Sequence, residues 1–546
     1  VDFPEVRDER RTAASVAKDR LASLERGVLG VRSWVDDRTN IQATAGVVAL
    51  VALGIYVATL LPGVSFGDWS EMQAIPYQLG IAHPTGYPLA VLLGKLWSLL
   101  PIGSVAYRAN LLSAVEVSTA LGVAVLLMGR LAVRPLVAGP LAIVVAAVPT
   151  VWEAATTARV DGLHFLLVTL ILHRALLWGQ ERRPTDFVLV ALLTGLSLAN
   201  HLLTVMVAPF VALFVLWVGH RELLRRPLLV PAAAVAGVAG LSLYLYIPIR
   251  AAIGPSWAYG HLLKLDDFWY LVSGTMFRAD MKFLTAAGLQ NFMAGWPHLW
   301  ALIQARWPAV LLAVALAGLG ATFRRDRGLA VLTVVLVLAN VYFYVNYHGD
   351  LEHYLLLTWL LIAACTAVAI DAAIAFVTRA LAGPAIRWPS ARSLRMLPVG
   401  VVAGAVLVAF AGSVVRSNWA ANDRSSDHRG DAFVQQLFAV LPENAVLLSY
   451  WDALEPLWYA HCVEGLRPDL TILATSDPTT QGCQDFHGDV AALVPERPTY
   501  ALFVFDWDYD ALRREFDLTP VARILVPYGH PYPEYSRDLM RVMPKI

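Results

Sequence analysis

Apolar segments long enough to cross a lipid bilayer recur along this chain, and they restrict it to folds that a membrane can hold. A helical span needs about 20 apolar residues, because every backbone polar group inside hydrocarbon must be paired within its own segment. By that measure about eleven segments qualify. They lie near 41–61, 109–129, 136–152, 163–178, 186–200, 202–219, 228–249, 305–323, 329–346, 354–377 and 397–415. Hydrophobic residues make up 58% of the 546 and charged residues 15%, which excludes an ordinary soluble protein. The formal net charge of zero argues against nucleic acid as a partner. A shorter apolar stretch, Leu89 to Leu100, is bounded by Pro88 and Pro101. It reads as an interfacial or re-entrant helix, with Pro88 in its first turn and Pro101 as its stop.

Loop charges set the orientation. The links after the even-numbered spans carry Arg130 and Arg134; Arg182 and Arg183; Arg221, Arg225 and Arg226; Arg324, Arg325 and Arg327; and Arg379, Arg387, Arg392 and Arg395. The N-terminal stretch adds Arg10, Arg11 and Arg20. All fall on one side, which the positive-inside rule makes cytoplasmic. The lead before the first span is too long and too acidic for a usual cleaved signal peptide, so it reads as retained. The expected organisation is a cytoplasmic extension at 1–40, a transmembrane domain at 41–416 with its first outer loop at 62–108, and an extracytoplasmic domain at 417–546. The expected location is the plasma membrane.

From about Asn418 the hydropathy falls and the periodicity changes. Residues 432–440 and 454–463 read as helices, and 445–449, 470–474 and 500–505 as strands, which predicts a small α/β domain. The fold class is therefore a mostly α, polytopic membrane protein with a C-terminal α/β domain. Cys462 and Cys483 fall in that domain, where an outer compartment permits a disulfide, and Cys365 falls in a span. Three cysteines give no zinc-type spacing. The chain lacks a Walker loop, GxGxxG after a strand, GxSxG and HExxH, so a nucleotide-driven pump or a serine hydrolase is unsupported.

Polar and ionisable residues gather on the outer face. Asp68, Glu71 and His83 come from the first loop, and Glu153, Arg159, Asp161, Asn200, His201, Arg250, Arg278 and His353 from later ones. Carboxylates beside a bilayer are costly unless solvated or used. Asp68-Trp69-Ser70-Glu71 has the pattern of a helix capping box. It could equally supply a base for transfer of a sugar to a hydroxyl, with Arg250 and Arg278 the first candidates to hold a departing phosphate. His83-Pro84-Thr85-Gly86-Tyr87-Pro88 reads as a rigid turn, which can also fix His83 and Tyr87 against a ligand. Asn200-His201 sits where two apolar helices meet, as a helix cap or as part of a site.

The segment Asp68 to Pro88 resembles the signature of a family of bacterial multi-pass proteins, which includes the eukaryotic transmembrane O-mannosyltransferase acting on plexin-type receptor domains. Members typically read D-S-G-E and then L-G-I-A-H-P-P-G-Y-P; here Thr85 replaces the second proline. Leu93 to Leu96, Arg108 to Ala114, Gly195 to Leu202, Leu245 to Arg250, Leu271 to Gly274 with Arg278, Leu457 to Tyr459 and Val463 to Asp469 also match. One departure stands out: the family's E-V-Y is Arg159-Val160-Asp161, which displaces the carboxylate by two positions.

The resemblance implies a fold similar to the C-type glycosyltransferases. It implies a polyprenyl-phosphate sugar donor, with mannose by analogy, a protein or glycan hydroxyl as acceptor, and membrane lipids as surroundings. Asp68 and Glu71 are then the catalytic candidates, Asp68 as base of an inverting displacement. His83, Tyr87, Arg159, Asp161, Asn200, His201, Arg250 and Arg278 are the donor-binding candidates. No metal ligands are assigned, and dependence on a divalent metal stays open. Two other readings compete. A secondary transporter would carry ionisable groups near the midplane and internal repeats, whereas here they cluster at one surface without a repeat. A non-catalytic membrane protein that binds cell-envelope glycans is the other.

Overall fold

A computed structural model describes residues 38–545 except 256, 260–263, 281–284, 308, 348–351, 383–388, 475–489 and 527–534. Nearly all of the expected extension at 1–40, and Cys483, lie outside the described residues.

Among the described residues seven helices are long and apolar enough to cross a membrane: Asn40–Ala58, Val105–Arg130, Val160–Glu181, Leu229–Ile253, Arg327–Asn346, Glu352–Ala380 and Val399–Asn422. Counting each of two bent pairs as one span raises this to nine. The expected eleven separate spans are not reached, and prolines and short helices account for the difference. The segment expected at 136–152 is two helices, Pro135–Ala146 and Pro149–Thr156, meeting at 71°. Pro149 has no N–H to continue the first ladder and is suited to start a new one. The segment expected at 186–200 is only the short helix Pro184–Leu198. That at 202–219 begins as a tight 3₁₀ turn, Leu202–Met206, before the helix Ala208–Arg225. Pro88–Ser98 is a short apolar helix, as its flanking prolines predict.

Small residues set how closely these helices approach. Hydrocarbon gives no hydrophobic drive between helices in a bilayer, so backbone proximity and packing must supply it. Pro184–Leu198 and Leu229–Leu241 cross where Gly195, Gly237 and Gly240 meet. A Cβ on Gly195 would lie 2.1 Å from the carbonyl oxygen of Gly237, and one on Gly240 would lie 2.6 Å from the amide of Leu196.

The C-terminal region forms a five-stranded sheet in the order β2-β1-β3-β5-β4. Strands β1 (Val446–Ser449), β2 (Thr471–Ala474) and β3 (Thr499–Leu502) are parallel. Strand β5 (Tyr535–Pro544) runs antiparallel to both β3 and β4 (Phe516–Val526). The first three strands fall where the sequence predicts them. The last two were not expected, and β4 carries Pro520 in its middle, a residue that disfavours a strand. It is tolerated because β4 is the sheet edge and its register shifts between Pro520 and Ala522.

This domain is built into the first long loop. Phe66, Met72 and Ile75 share one core with Phe433, Leu437, Leu454 and Trp458. The Ala106 amide donates to the Tyr459 hydroxyl at 2.9 Å, and Gln78 Nε2 donates to the Cys462 carbonyl at 2.8 Å. Cys462 is disulfide-bonded, and Cys365 is a free thiol.

The glycine crossing gives a direct test of the packing. Gly195→Leu should destabilise the protein by at least about 1–3 kcal/mol, the usual cost of overpacking. Gly46→Ala, at an exposed helical position with nothing within 4 Å of the new Cβ, should be neutral or slightly stabilising. Thermal unfolding of both variants in the same detergent checks this.

Candidate active site

Helix α1 (Asp68–Gln78) follows the first membrane-length helix and carries both carboxylates of the loop motif in its first turn. The pattern suggests a capping box, but the structure does not form one. The N-cap is Gly67, with φ 55°, and no side chain caps the helix. Gly67 is required there: a Cβ would lie 2.8 Å from Oδ1 of Asp452, in a conformation that disfavours side chains. The two acids are released for other partners and separate in character. Asp68 is half-exposed, while Glu71 is fully buried.

Glu71 closes the His-Pro-Thr-Gly-Tyr-Pro turn onto the helix. Its Oε1 accepts the His83 amide at 2.8 Å, and its Oε2 pairs with Nδ1 of His83. The other ring nitrogen, Nε2, lies 3.0 Å from the Tyr87 hydroxyl, which donates to the Pro84 carbonyl at 2.9 Å. Burial alone would depress the His83 pKa, but the carboxylates of Glu71 and Asp68 outweigh it and push it up to about 9. Burial in turn raises the Glu71 pKa against the pull of His83, and Nε2 of His83 lies 3.9 Å from Oδ2 of Asp68.

A polar network positions the opposite wall. Gln73 of α1 donates to Oδ1 of Asn110 at 3.0 Å. The same Asn110 oxygen accepts the Ala158 amide at 2.8 Å, and its Nδ2 donates to the Leu61 carbonyl at 2.8 Å. This fixes the backbone just before Arg159. The Arg159 guanidinium lies over the Trp69 ring at 4.3 Å and donates to Glu153 at 3.1 Å. Its Nη1 is 3.1 Å from Nδ1 of His353. Arg424 donates to the same Glu153 oxygen at 3.1 Å, so two guanidinium groups share one carboxylate.

Between these walls is a cavity of about 330 Å³. The first loop contributes Asp68, Trp69, His83 and Tyr87; the start of the helix Val160–Glu181 contributes Arg159 and Asp161. His201, His353, Tyr354 and, from the C-terminal domain, Trp451 also line it. Nε2 of His201 is 3.9 Å from Asp161. Nδ1 of His201 accepts the Leu203 amide at 3.0 Å, so the proton of the neutral ring sits on Nε2. Burial holds the His201 pKa down to about 4 against the opposing pull of Asp161.

Six of the ten expected residues thus line one cavity: Asp68, His83, Tyr87, Arg159, Asp161 and His201. Glu71 stands behind His83. Asn200 is outside the lining and braces it, donating to the Val160 carbonyl at 3.0 Å. Arg250 is also not a lining residue; its Nε donates to the Leu79 carbonyl at 2.7 Å. That bond holds the end of the helix Tyr246–Ile253 on the first loop. The side chain of Arg278 lies outside the described residues.

Sequence reasoning passed over Trp69, Trp451, Arg424, Tyr259 and Glu455. Trp69 stood inside the motif and was the one with a local signal. Arg424 and Trp451 lie some 350 residues and more from it, and nothing local marks them. Glu455 is buried and accepts from the Tyr259 hydroxyl at 2.5 Å. Burial, reinforced by the charge of Glu71, raises its pKa well above the usual carboxylate range.

Asp68, Glu71 and His83 also offer ligand atoms within 4.8 Å of one another, a donor set that suits a divalent cation. Such an ion would have to compete with the Glu71–His83 bond and the Tyr87 contact.

Comparison with known proteins extends these observations. Residues 68–224 match the model of the protein O-mannosyl-transferase TMEM260 N-terminal domain. Protein O-mannosyl-transferase TMEM260 of Mus musculus is 27% identical over 472 residues, covering 79% of this chain and 62% of the mouse protein. The Dictyostelium discoideum protein of the same name is 28% identical over 233 residues, 39% of this chain and 28% of its own length. The chain therefore spans less than two thirds of these relatives. The fold is similar to ArnT from Cupriavidus metallidurans. The crystal structure bound to undecaprenyl phosphate aligns with a TM-score of 0.55 at 14% identity, over 91% of this chain and 97% of ArnT. The apo structure gives 0.51 at 16%, over 94% and 98%. The chain is thus similar in sequence to transmembrane O-mannosyl-transferases over part of their length, and in fold to ArnT.

Proposed function

We propose that this chain is a membrane glycosyltransferase that moves a sugar, mannose by analogy with its relatives, from a polyprenyl-phosphate donor to a hydroxyl of a protein or glycan. The observation that carries this reading is the pairing within one cavity of a half-exposed carboxylate, Asp68, with a braced guanidinium, Arg159. That ArnT was solved with undecaprenyl phosphate supports the choice of carrier.

In this mechanism Asp68 takes the proton of the acceptor hydroxyl. The acceptor oxygen attacks the anomeric carbon, the bond from that carbon to the phosphate oxygen breaks, and the phosphate leaves with the electron pair. A single displacement inverts the anomeric centre. Three-residue spacing on one short helix suits no pair of carboxylates flanking a sugar from opposite sides, so a retaining double displacement is not favoured. Arg159 receives the departing phosphate. Its partner Glu153 is shared with Arg424, which leaves positive charge at that wall for an anion. Planar guanidinium groups match phosphate geometry, and charge-assisted hydrogen bonds are the stronger kind. Glu71 holds His83 and the turn rather than acting as the base, since its carboxylate is fully buried and occupied.

The site would face the extracytoplasmic side, with the N-terminus in the cytoplasm, as the basic loops require. A transporter reading is less well supported, because the polar groups form a walled cavity roofed by a folded domain.

Three measurements test this. Asp68→Asn should abolish release of mannose from a polyprenyl-phosphate mannose while the thermal midpoint is kept, since the amide keeps the shape but cannot take the proton; near-normal turnover would remove Asp68 as base. Arg159→Ala should raise KM for the donor about tenfold or more, and Arg159→Lys should recover part of that, because an ammonium lacks the planar fork. Cysteines placed at the exposed positions Ser426 and Arg325 should differ in intact cells. A membrane-impermeant thiol reagent should label the first and not the second, and the reverse result would invert the proposed topology.

A further inference from the structure

We propose that Trp451 is a positioning residue for the base, so that the C-terminal domain completes the catalytic centre. The proposal rests on the reading of Asp68 as the base.

Asp68 sits in the first turn of α1 with a half-exposed side chain, and a short carboxylate in such a place is free to turn. One contact from outside the loop restrains it: the indole Nε1–H of Trp451 donates to Oδ1 at 2.8 Å. Oδ2 is then left toward the cavity and the Nε2 side of His83. An N–H donor engages one oxygen and cannot take a proton, so it selects the carboxylate rotamer without competing for the chemistry. Holding a reacting group in one orientation lowers the activation barrier rather than improving ground-state binding.

Trp451 is itself held from three directions. It is the first residue of the helix α2 (Trp451–Trp458), which directly follows β1. Its ring meets His83 edge-on at 5.5 Å and Tyr259 at 5.4 Å. The helix is anchored by the Tyr259–Glu455 hydrogen bond and by the Asp452 carbonyl, which accepts the Gly67 amide at 3.4 Å. Gly67 immediately precedes Asp68, so donor and acceptor of the Trp451–Asp68 bond are tied together by backbone next door. These contacts hold the indole beside Asp68.

The test uses the full-length protein in detergent. A radiolabelled short-chain polyprenyl-phosphate mannose serves as probe and water as acceptor, giving mannose and polyprenyl phosphate. Trp451→Phe keeps an aromatic ring against His83 and Tyr259 and removes only the N–H. It should lower kcat about tenfold or more, as loss of a hydrogen bond to a charged group does, with KM unchanged. Trp451→Ala should lower kcat at least as far. A merely structural role predicts a fall in active protein with kcat per folded molecule intact, which a thermal melt and active-fraction titration with the donor would reveal, overturning the proposal. Unchanged kcat in Trp451→Phe, or an effect confined to KM, also overturns it. Asp68→Asn is measured alongside. If it is inactive while Trp451→Phe is normal, only the positioning role fails; if it is active, the base reading fails and this proposal with it.

Discussion

The buried pair of Glu71 and His83 is the interaction on which the site depends. Desolvating an ion pair is expensive, and breaking one by removing a partner is more expensive still. The cost is offset here by further hydrogen bonds to both partners. Glu71 also accepts the His83 amide, and Tyr87 links the far side of the ring to the Pro84 carbonyl. One side chain thereby locks a turn of the backbone to the helix that presents Asp68. Trp451, Tyr259 and Tyr87 pack their rings around the same imidazole, so the pair also organises the apolar wall.

The membrane part of the chain supplies a rigid frame of a different kind. Close helix crossings at glycines such as Gly195 and Gly240 leave little room for sliding. Where helices end near the site, uncharged amides do the bracing. Asn110 joins three segments through its one side chain, and Asn200 ties the end of one apolar helix to the start of another. At the cavity itself, Arg159 lies over the Trp69 ring and shares Glu153 with Arg424.

The C-terminal domain is a structural part of the first loop rather than an appended module. Phe66 and Ile75 would be exposed without Phe433, Leu454 and Trp458, and Gly430 must be small because a Cβ there would lie 2.1 Å from the Val64 carbonyl. An α/β layer that shares its core with a loop of the membrane part can place a side chain in that loop's cavity. Trp451 does so.

The sequence alone determined the membrane class, a cluster of polar residues on the first loop, and the three parallel strands of the C-terminal sheet. These follow from local properties: runs of apolar residues, the unusual pairing of acids with a Pro-Gly turn, and strand-length apolar alternation. It also marked Asp68, His83, Tyr87, Arg159, Asp161 and His201, because ionisable groups at span ends stand out against an apolar background. Tertiary structure alone decided how those groups are used. The motif suited a capping box as well as a base, and only the structure shows Asp68 half-exposed and Glu71 buried against His83. Arg250 looked like the cation of the site, but its helix exit brings it to the Leu79 carbonyl, while Arg159 faces the cavity. Hydropathy read 136–152 as one segment and could not show the 71° break within it. Strand β4 carries Pro520, a residue tolerated on a sheet edge, and a sequence does not say which strand is the edge. Trp451 and Arg424 were invisible for the most general reason: their role is set by a contact across more than 250 residues, and no local pattern encodes it.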